Sequence, residues 1–344
     1  MCNVQCEIPP FFYNPCTMTK QNFPIQFGWV QPPGARTTDK PRAYVKDEGS
    51  WMPPGPRFAD RRARFDADMR RVINAISGQW SSVWVTDHTQ WGEDDCLECM
   101  TTLSFYAALY PHLDFGTIVA CQSYRNPALM AKMASTIQYL TKGRLILGIG
   151  AGWKVDEYLA YNYAFPAPGV RVAQLEETVQ IFRTMWTQEK SSFEGKHYRI
   201  EDAINLPQTS QPPTLLIGGS GEQKMLPLIA RYADYWNVTA QGEEWQRKFD
   251  ILKGECDKIG RDFSTLRKTW FGGAAIGRTE EEVQGRLRDS FLREKGIYGT
   301  PEQFAAKIED MIARGCTYFL LDTRGIPDDG EIELMLEVTK RFAD

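Results

Sequence analysis

Eight times between Ile25 and the C-terminus, a short run rich in β-branched or aromatic residues gives way to a longer stretch with helical periodicity. The strand-like runs are IQFGWV (Ile25–Val30), SVWV (Ser82–Val85), DFGTIVA (Asp114–Ala120) and RLILGIG (Arg144–Gly150) in the first half. TLLIGG (Thr214–Gly219), YWNV (Tyr235–Val238), GGAAIG (Gly272–Gly277) and YFLLD (Tyr318–Asp322) follow in the second. Between them the apolar residues change period. Phe65, Met69, Val72, Ile73 and Ile76 share one face of a helix that starts near Asp60, and Val172, Leu175, Val179, Phe182 and Trp186 do the same over Val170–Trp186. Further helices are expected around Leu97–Leu109, Ala128–Leu140, Glu222–Ala233 and Glu243–Ile259. Capping boxes at Thr279–Glu282 and Thr300–Gln303 open two more. SSFEGKHYRI reads as a hairpin that turns at Glu194 and Gly195.

Strict β-then-α order argues for a parallel sheet, and eight units argue for its closure into an α/β (β/α)8 TIM barrel. An open doubly wound sheet would usually bring a dinucleotide fingerprint. The best candidate, LILGIGAGW, does not supply it: counting G-x-G-x-x-G from Gly148 puts Trp153 in place of the third glycine, and counting from Gly150 puts Val155 there. With 344 residues, 42% of them hydrophobic, the chain can fill one such barrel, assigned to residues 23–344. Residues 1–22 are expected to be a flexible tail, and the Pro- and Gly-rich residues 31–59 a lid-like insertion after the first strand.

A net charge of −4 leaves no basic footprint for nucleic acid or an anionic membrane, and no apolar run approaches membrane-spanning length. The N-terminus lacks the basic and apolar regions of a secretory signal, so the expected location is the cytoplasm. Eight scattered cysteines read as reduced thiols. Cys96 and Cys99 form a C-x-x-C without a second pair at zinc-ribbon spacing, and no metal is expected.

In a (β/α)8 barrel the chemistry lies where strands end and βα loops begin. That rule brings together Asp87 and His88 after the second strand, Cys121 to Arg125 after the third and Gly150 to Trp153 after the fourth. Gly218 to Gly221 follow the fifth strand and Asp322 the eighth. His88 is the one histidine at such an end. Its imidazole can exchange a proton near neutral pH, and the adjacent Asp87 is a candidate to raise its pKa or fix its tautomer; a surface or helix-capping histidine is the alternative. Gly218, Gly219, Ser220 and Gly221 open a helix directly after a strand, an arrangement that offers backbone N–H groups to a phosphate. No P-loop spacing is present.

Several ordered segments, VWVTDH, GTIVACQSYRNPALMAKMASTIQYLTKGRLILGIGAGW, SFEGKHYRI and PPTLLIGGSGEQKMLPLIARYADYWN among them, resemble the bacterial luciferase-like superfamily. Within it the chain is similar to the branch of probable coenzyme F420-dependent oxidoreductases. The resemblance implies a TIM barrel, a deazaflavin cofactor (F420) with FMN as the alternative, a small-molecule substrate and a homodimer. It implies His88 as proton donor or acceptor and Asp87 beside the deazaflavin ring. A non-proline cis peptide would fall at Ile118–Val119, behind the ring, with Cys121 as a neighbour. Ala151, Gly152 and Asp156 match further cofactor positions, and Gly218, Gly219, Ser220 and Gly221 the phosphate loop. Trp91 and Trp153 are expected to wall the substrate pocket. Trp153 stands where the sugar-phosphate dehydrogenases of the family carry a catalytic glutamate, and an indole cannot take a proton from a sugar hydroxyl. The expected activity is therefore hydride transfer between F420 or a flavin and an apolar or aromatic molecule. A reduced-FMN monooxygenase and a non-catalytic flavin-binding barrel are the alternatives.

Overall fold

Eight parallel strands close on themselves in the computed structural model, which describes residues 23–35, 56–92, 94–287 and 290–342. They are β1 (Gln26–Val30), β2 (Ser82–Val85), β3 (Asp114–Thr117), β4 (Leu145–Gly150), β5 (Thr214–Gly218), β6 (Tyr235–Val238), β7 (Arg267–Ile276) and β8 (Tyr318–Asp322). Each pairs with the next, and β8 returns to β1 with Gln26 opposite Tyr318 and Val30 opposite Asp322. The expected barrel is therefore present.

Helices ring it: α1 (Pro56–Ile76), α2 (Cys99–Leu109), α3 (Pro127–Leu140), α4 (Val155–Ala160), α5 (Pro168–Thr187), α6 (Met225–Tyr232) and α7 (Gly242–Lys258). The last four are α8 (Glu280–Arg286), α9 (Ser290–Lys295), α10 (Pro301–Ala313) and α11 (Asp329–Thr339). The hairpin lies at Ser191–Glu194 and Arg199–Ala203, as expected. Among the described residues no helix is long and apolar enough to cross a membrane.

Alternation along each strand divides the core in two. Outward residues such as Trp29, Val83, Leu147 and Phe319 pack under the helices, while Val30, Trp84, Ile146, Leu216, Tyr318 and Leu320 fill the barrel. One indole plugs the lower half. A Cβ on Gly28 or Gly116 would lie 2.6 or 2.3 Å from atoms of Trp84, so these two strands approach the ring as bare backbone. The plug is hydrogen-bonded throughout: Trp84 Nε1 donates to Ser82 Oγ at 2.7 Å, as does the Tyr318 hydroxyl at 2.6 Å. Nothing comparable fills the C-terminal half, and a cavity remains there.

Four expectations need correction. β3 stops at Thr117 and not Ala120; the Ile118–Val119 peptide is cis, and Ala120–Cys121 rejoins the sheet as a two-residue strand on β4. β7 is ten residues long and begins at Arg267, ahead of GGAAIG. Its first half was illegible because Arg267 and Thr269 are buried polar residues; Arg267 donates to the Pro24 and Thr317 carbonyls and stacks 4.3 Å from the Tyr318 ring. α6 starts at Met225, a turn later than Glu222. α1 begins at Pro56, inside the stretch expected to be a lid-like insertion, while residues 36–55 and the expected tail 1–22 lie outside the described residues.

Candidate active site

The cavity at the C-terminal mouth measures about 260 Å³. Thr86, Asp87 and His88 follow the end of β2 and line it, with the Asp87 carboxylate and the His88 ring engaged by different partners. The Asp87 carboxylate, 6% exposed, accepts two bonds from Arg125 at 2.8 and 3.0 Å and one from the Cys121 backbone N–H at 2.8 Å. It ties the second βα loop to the third. Arg125 also pairs with Glu98, the N-cap of α2. Burial opposes the Arg125 charge, but Asp87 and Glu98 outweigh it and hold the guanidinium above its ordinary value. Burial likewise opposes the Glu98 carboxylate, and hydrogen bonds from Thr101 and Arg125 bring it down to about 2. Asp87 is therefore not the partner of His88 that its position in the sequence suggested.

That partner is Glu157. Its Oε1 lies 2.9 Å from His88 Nδ1, and its Oε2 accepts from the Tyr124 hydroxyl at 2.5 Å. Glu157 is fully buried in the first turn of α4, with Lys154 Nζ 3.8 Å from Oε1. Burial and the carboxylate push the Tyr124 phenol far above its ordinary value, so it remains a donor. His88 Nε2 makes no hydrogen bond to any described residue. The ring meets Trp91 edge to face at 4.3 Å and Trp153 at 6.1 Å, and the Lys154 ammonium covers Trp91 at 5.4 Å. Both indoles line the cavity beside His88.

Asp156 lies outside this lining. Successive helical residues diverge by about 100°, so Asp156 turns out while its neighbour turns in. Its carboxylate pairs with Lys154, stays half-exposed and is absent from the cavity lining. The side chain the sequence reading missed is the next one along.

The opposite wall is built from Ile118, Val119 and the glycine loop. A Cβ on Gly150 or Gly218 would lie 2.8 or 2.9 Å from the Val119 methyls, so that side chain fits between the ends of β4 and β5 only against bare backbone. Gly152, Gly218, Gly219 and Ser220 line the cavity; Ala151 and Gly221 do not. A turn separates this loop from α6, so the glycines do not open the helix directly as expected. Cys121 lines the wall too, 2.9 Å from the Tyr158 hydroxyl, and burial pushes its thiol up to about 11 against that hydrogen bond. Cys96 Sγ donates to the His88 carbonyl, and no disulfide joins it to Cys99. Asp322, which does not line the cavity, accepts from Arg324 at 2.7 Å. Ala120, Asn237, Val238, Thr239, Phe271 and Arg324 also line it without having been marked in the sequence.

The sequence model of the luciferase-like monooxygenase family matches residues 80–294, and the chain belongs to that family. It is similar to the F420-dependent glucose-6-phosphate dehydrogenase of Kineococcus radiotolerans, with 33% identity over 166 residues covering 47% of this chain and 48% of the relative. The F420-dependent hydroxymycolic acid dehydrogenase of Mycobacterium tuberculosis is 30% identical over 223 residues, 64% of this chain and 61% of the relative. The chain thus spans about half to three-fifths of these relatives. An F420-dependent secondary alcohol dehydrogenase, solved with an F420–acetone adduct, has the same fold at a TM-score of 0.76 and 17% identity, covering 93% of this chain and 100% of that one.

Proposed function

We propose that this chain is an F420-dependent oxidoreductase that moves a hydride between the deazaflavin and an apolar or aromatic small molecule, with His88 giving or taking the accompanying proton. The observation that carries the reading is the arrangement of the mouth. His88, whose Nε2 bonds to no described residue, lines the same cavity as Val119, Gly218, Gly219 and Ser220.

The residues present suit such a cofactor. Side chains at 150 and 218 would fill the cradle around Val119, and the Thr86 hydroxyl oxygen is buried in the lining without a partner. Ile118 and Val119 would back the ring and the glycine loop would meet the phosphate, while Cys121, a neutral thiol, would lie alongside. F420, when bound, supplies or accepts the hydride. The protein's part is orientation and the proton. Trp91 and Trp153 offer an apolar, aromatic substrate wall, and position 153 itself carries no carboxylate, which argues against a sugar substrate although one relative is named for glucose 6-phosphate. Asp156, Ala151 and Gly221, which flank this lining, rest as cofactor neighbours on the family resemblance alone.

Titrating the purified protein with F420 and with FMN, each oxidised and reduced, tests the reading. F420 is expected to bind at one site per chain and at least about tenfold more tightly than FMN, a difference of ~1.4 kcal/mol. Binding of FMN alone would favour the monooxygenase. Binding without turnover of any carbonyl, enone or alcohol would favour a non-catalytic barrel.

The same reading includes a homodimer in the cytoplasm. Phe105 and Leu109 of α2 and Leu129, Tyr139 and Leu140 of α3 are exposed apolar side chains, which support self-association, and sedimentation equilibrium decides it. Free thiols at Cys96, Cys99, Cys121, Cys256 and Cys316 suit a reducing compartment.

A further inference from the structure

We infer that Glu157 is the positioning residue of His88: it holds the ring by Nδ1, directs Nε2 to the reacting centre and balances the imidazolium charge, with Tyr124 setting how strongly it does so. The role given to His88 rests on the function proposed above. The pairing itself rests on geometry alone.

A buried carboxylate beside a histidine favours the charged ring, and a hydrogen bond to Nδ1 selects which nitrogen is left for chemistry. Here Oε1 takes Nδ1 at 2.9 Å, so in the neutral ring the lone pair lies on Nε2 and in the charged ring Nε2 carries the transferable proton. Oε2 is fixed at the same time by Tyr124 at 2.5 Å, and the Tyr124 carbonyl in turn accepts from the Tyr163 hydroxyl at 3.1 Å. Both oxygens are thus spoken for, and the carboxylate cannot swing away.

The other charged groups around His88 do not serve the same purpose. Asp87, its neighbour in the chain, is bound by Arg125 and the Cys121 N–H. Asp156 pairs with Lys154 and faces outward. Lys154, 3.8 Å from Glu157, weakens the carboxylate's field without reaching the ring. Cys96 touches only the His88 backbone carbonyl. At position 153, next to the ring, stands an indole with no acid to offer. Among the described residues, the acidic side chain that meets the imidazole is the one on α4.

The test is the tautomer of His88, read from the 15N NMR shifts of its ring nitrogens in cofactor-free protein. The chain has three histidines, so His112→Gln and His197→Gln variants assign the signals. Glu157→Gln keeps the shape but removes the carboxylate that faces Nδ1, and it is expected to end the preference for a proton on Nδ1. Tyr124→Phe strips a donor from Oε2 and leaves Oε1 on Nδ1, so the wild-type tautomer is expected to persist. That contrast distinguishes this role from general damage to the fold. In turnover assays Glu157→Gln should lower kcat and leave cofactor affinity unchanged. A folded Glu157→Gln protein with the wild-type His88 tautomer and kcat overturns the inference. If the tautomer changes but F420 does not bind, the proposed reaction falls and the pairing stands.

Discussion

Replacing His88 with alanine is expected to lower turnover about 10²- to 10⁴-fold, the range that a positioned general acid or base contributes, while F420 affinity changes little. The reason lies in how the mouth is divided. His88 meets the cavity through a ring whose Nδ1 is already held by Glu157, whereas the Val119 wall and the Gly218–Ser220 loop are built without it. Removing the imidazole removes the proposed proton carrier and leaves the proposed cofactor cradle intact. The neighbouring indoles cannot replace it, because Trp91 and Trp153 hold no exchangeable proton of suitable acidity. Stopped-flow reduction or oxidation of F420 with a competent substrate measures the effect. A His88→Ala protein with full turnover would remove the proton role and leave the fold assignment standing.

Gly152→Ala is expected to destabilise the protein by roughly 3 kcal/mol from left-handed backbone strain together with overpacking. Gly152 has φ +78°, and a Cβ there would lie 1.9 Å from the Tyr158 hydroxyl and 2.8 Å from Cys121 Sγ. Tyr158 has little room to yield, since it is fully buried and its ring meets Phe165 at 4.7 Å and Tyr124 at 5.2 Å. It also sits on the same short helix as Glu157, so the displacement would carry the His88 partner with it. Thermal unfolding should show a fall of several degrees, accompanied by loss of activity. Gly254→Ala, in the middle of α7 where no atom lies within 4 Å of the added methyl, is the control and should gain about 0.4–1 kcal/mol. Equal stability of the Gly152→Ala protein and the wild type would contradict the packing described for Tyr158.

How far the sequence foretold these features depends on whether the signal was local. β2, β6 and β8 have the bounds their apolar runs suggested, because each run is short, continuous and closed by turn residues. The eightfold alternation then predicted closure, and closure placed His88, Cys121, Gly152 and Gly218 at one mouth. β7 was only half legible, since Arg267 and Thr269 hide polar groups inside a strand. The choice between Asp156 and Glu157 was not legible at all. Adjacent acids on a six-residue helix are separated only by how that helix rotates against the barrel, and no periodicity in so short a segment records the rotation. The pairing of Asp87 with Arg125 was equally invisible, because it joins two different βα loops.

A crystal structure of the protein with oxidised F420 tests the central claim most directly. The account predicts the deazaflavin ring against Val119, its phosphate at Gly218–Ser220, and His88 Nε2 turned toward the reactive face while Nδ1 stays on Glu157. A ring bound elsewhere, or a His88 released from Glu157 and turned out of the mouth, would contradict it.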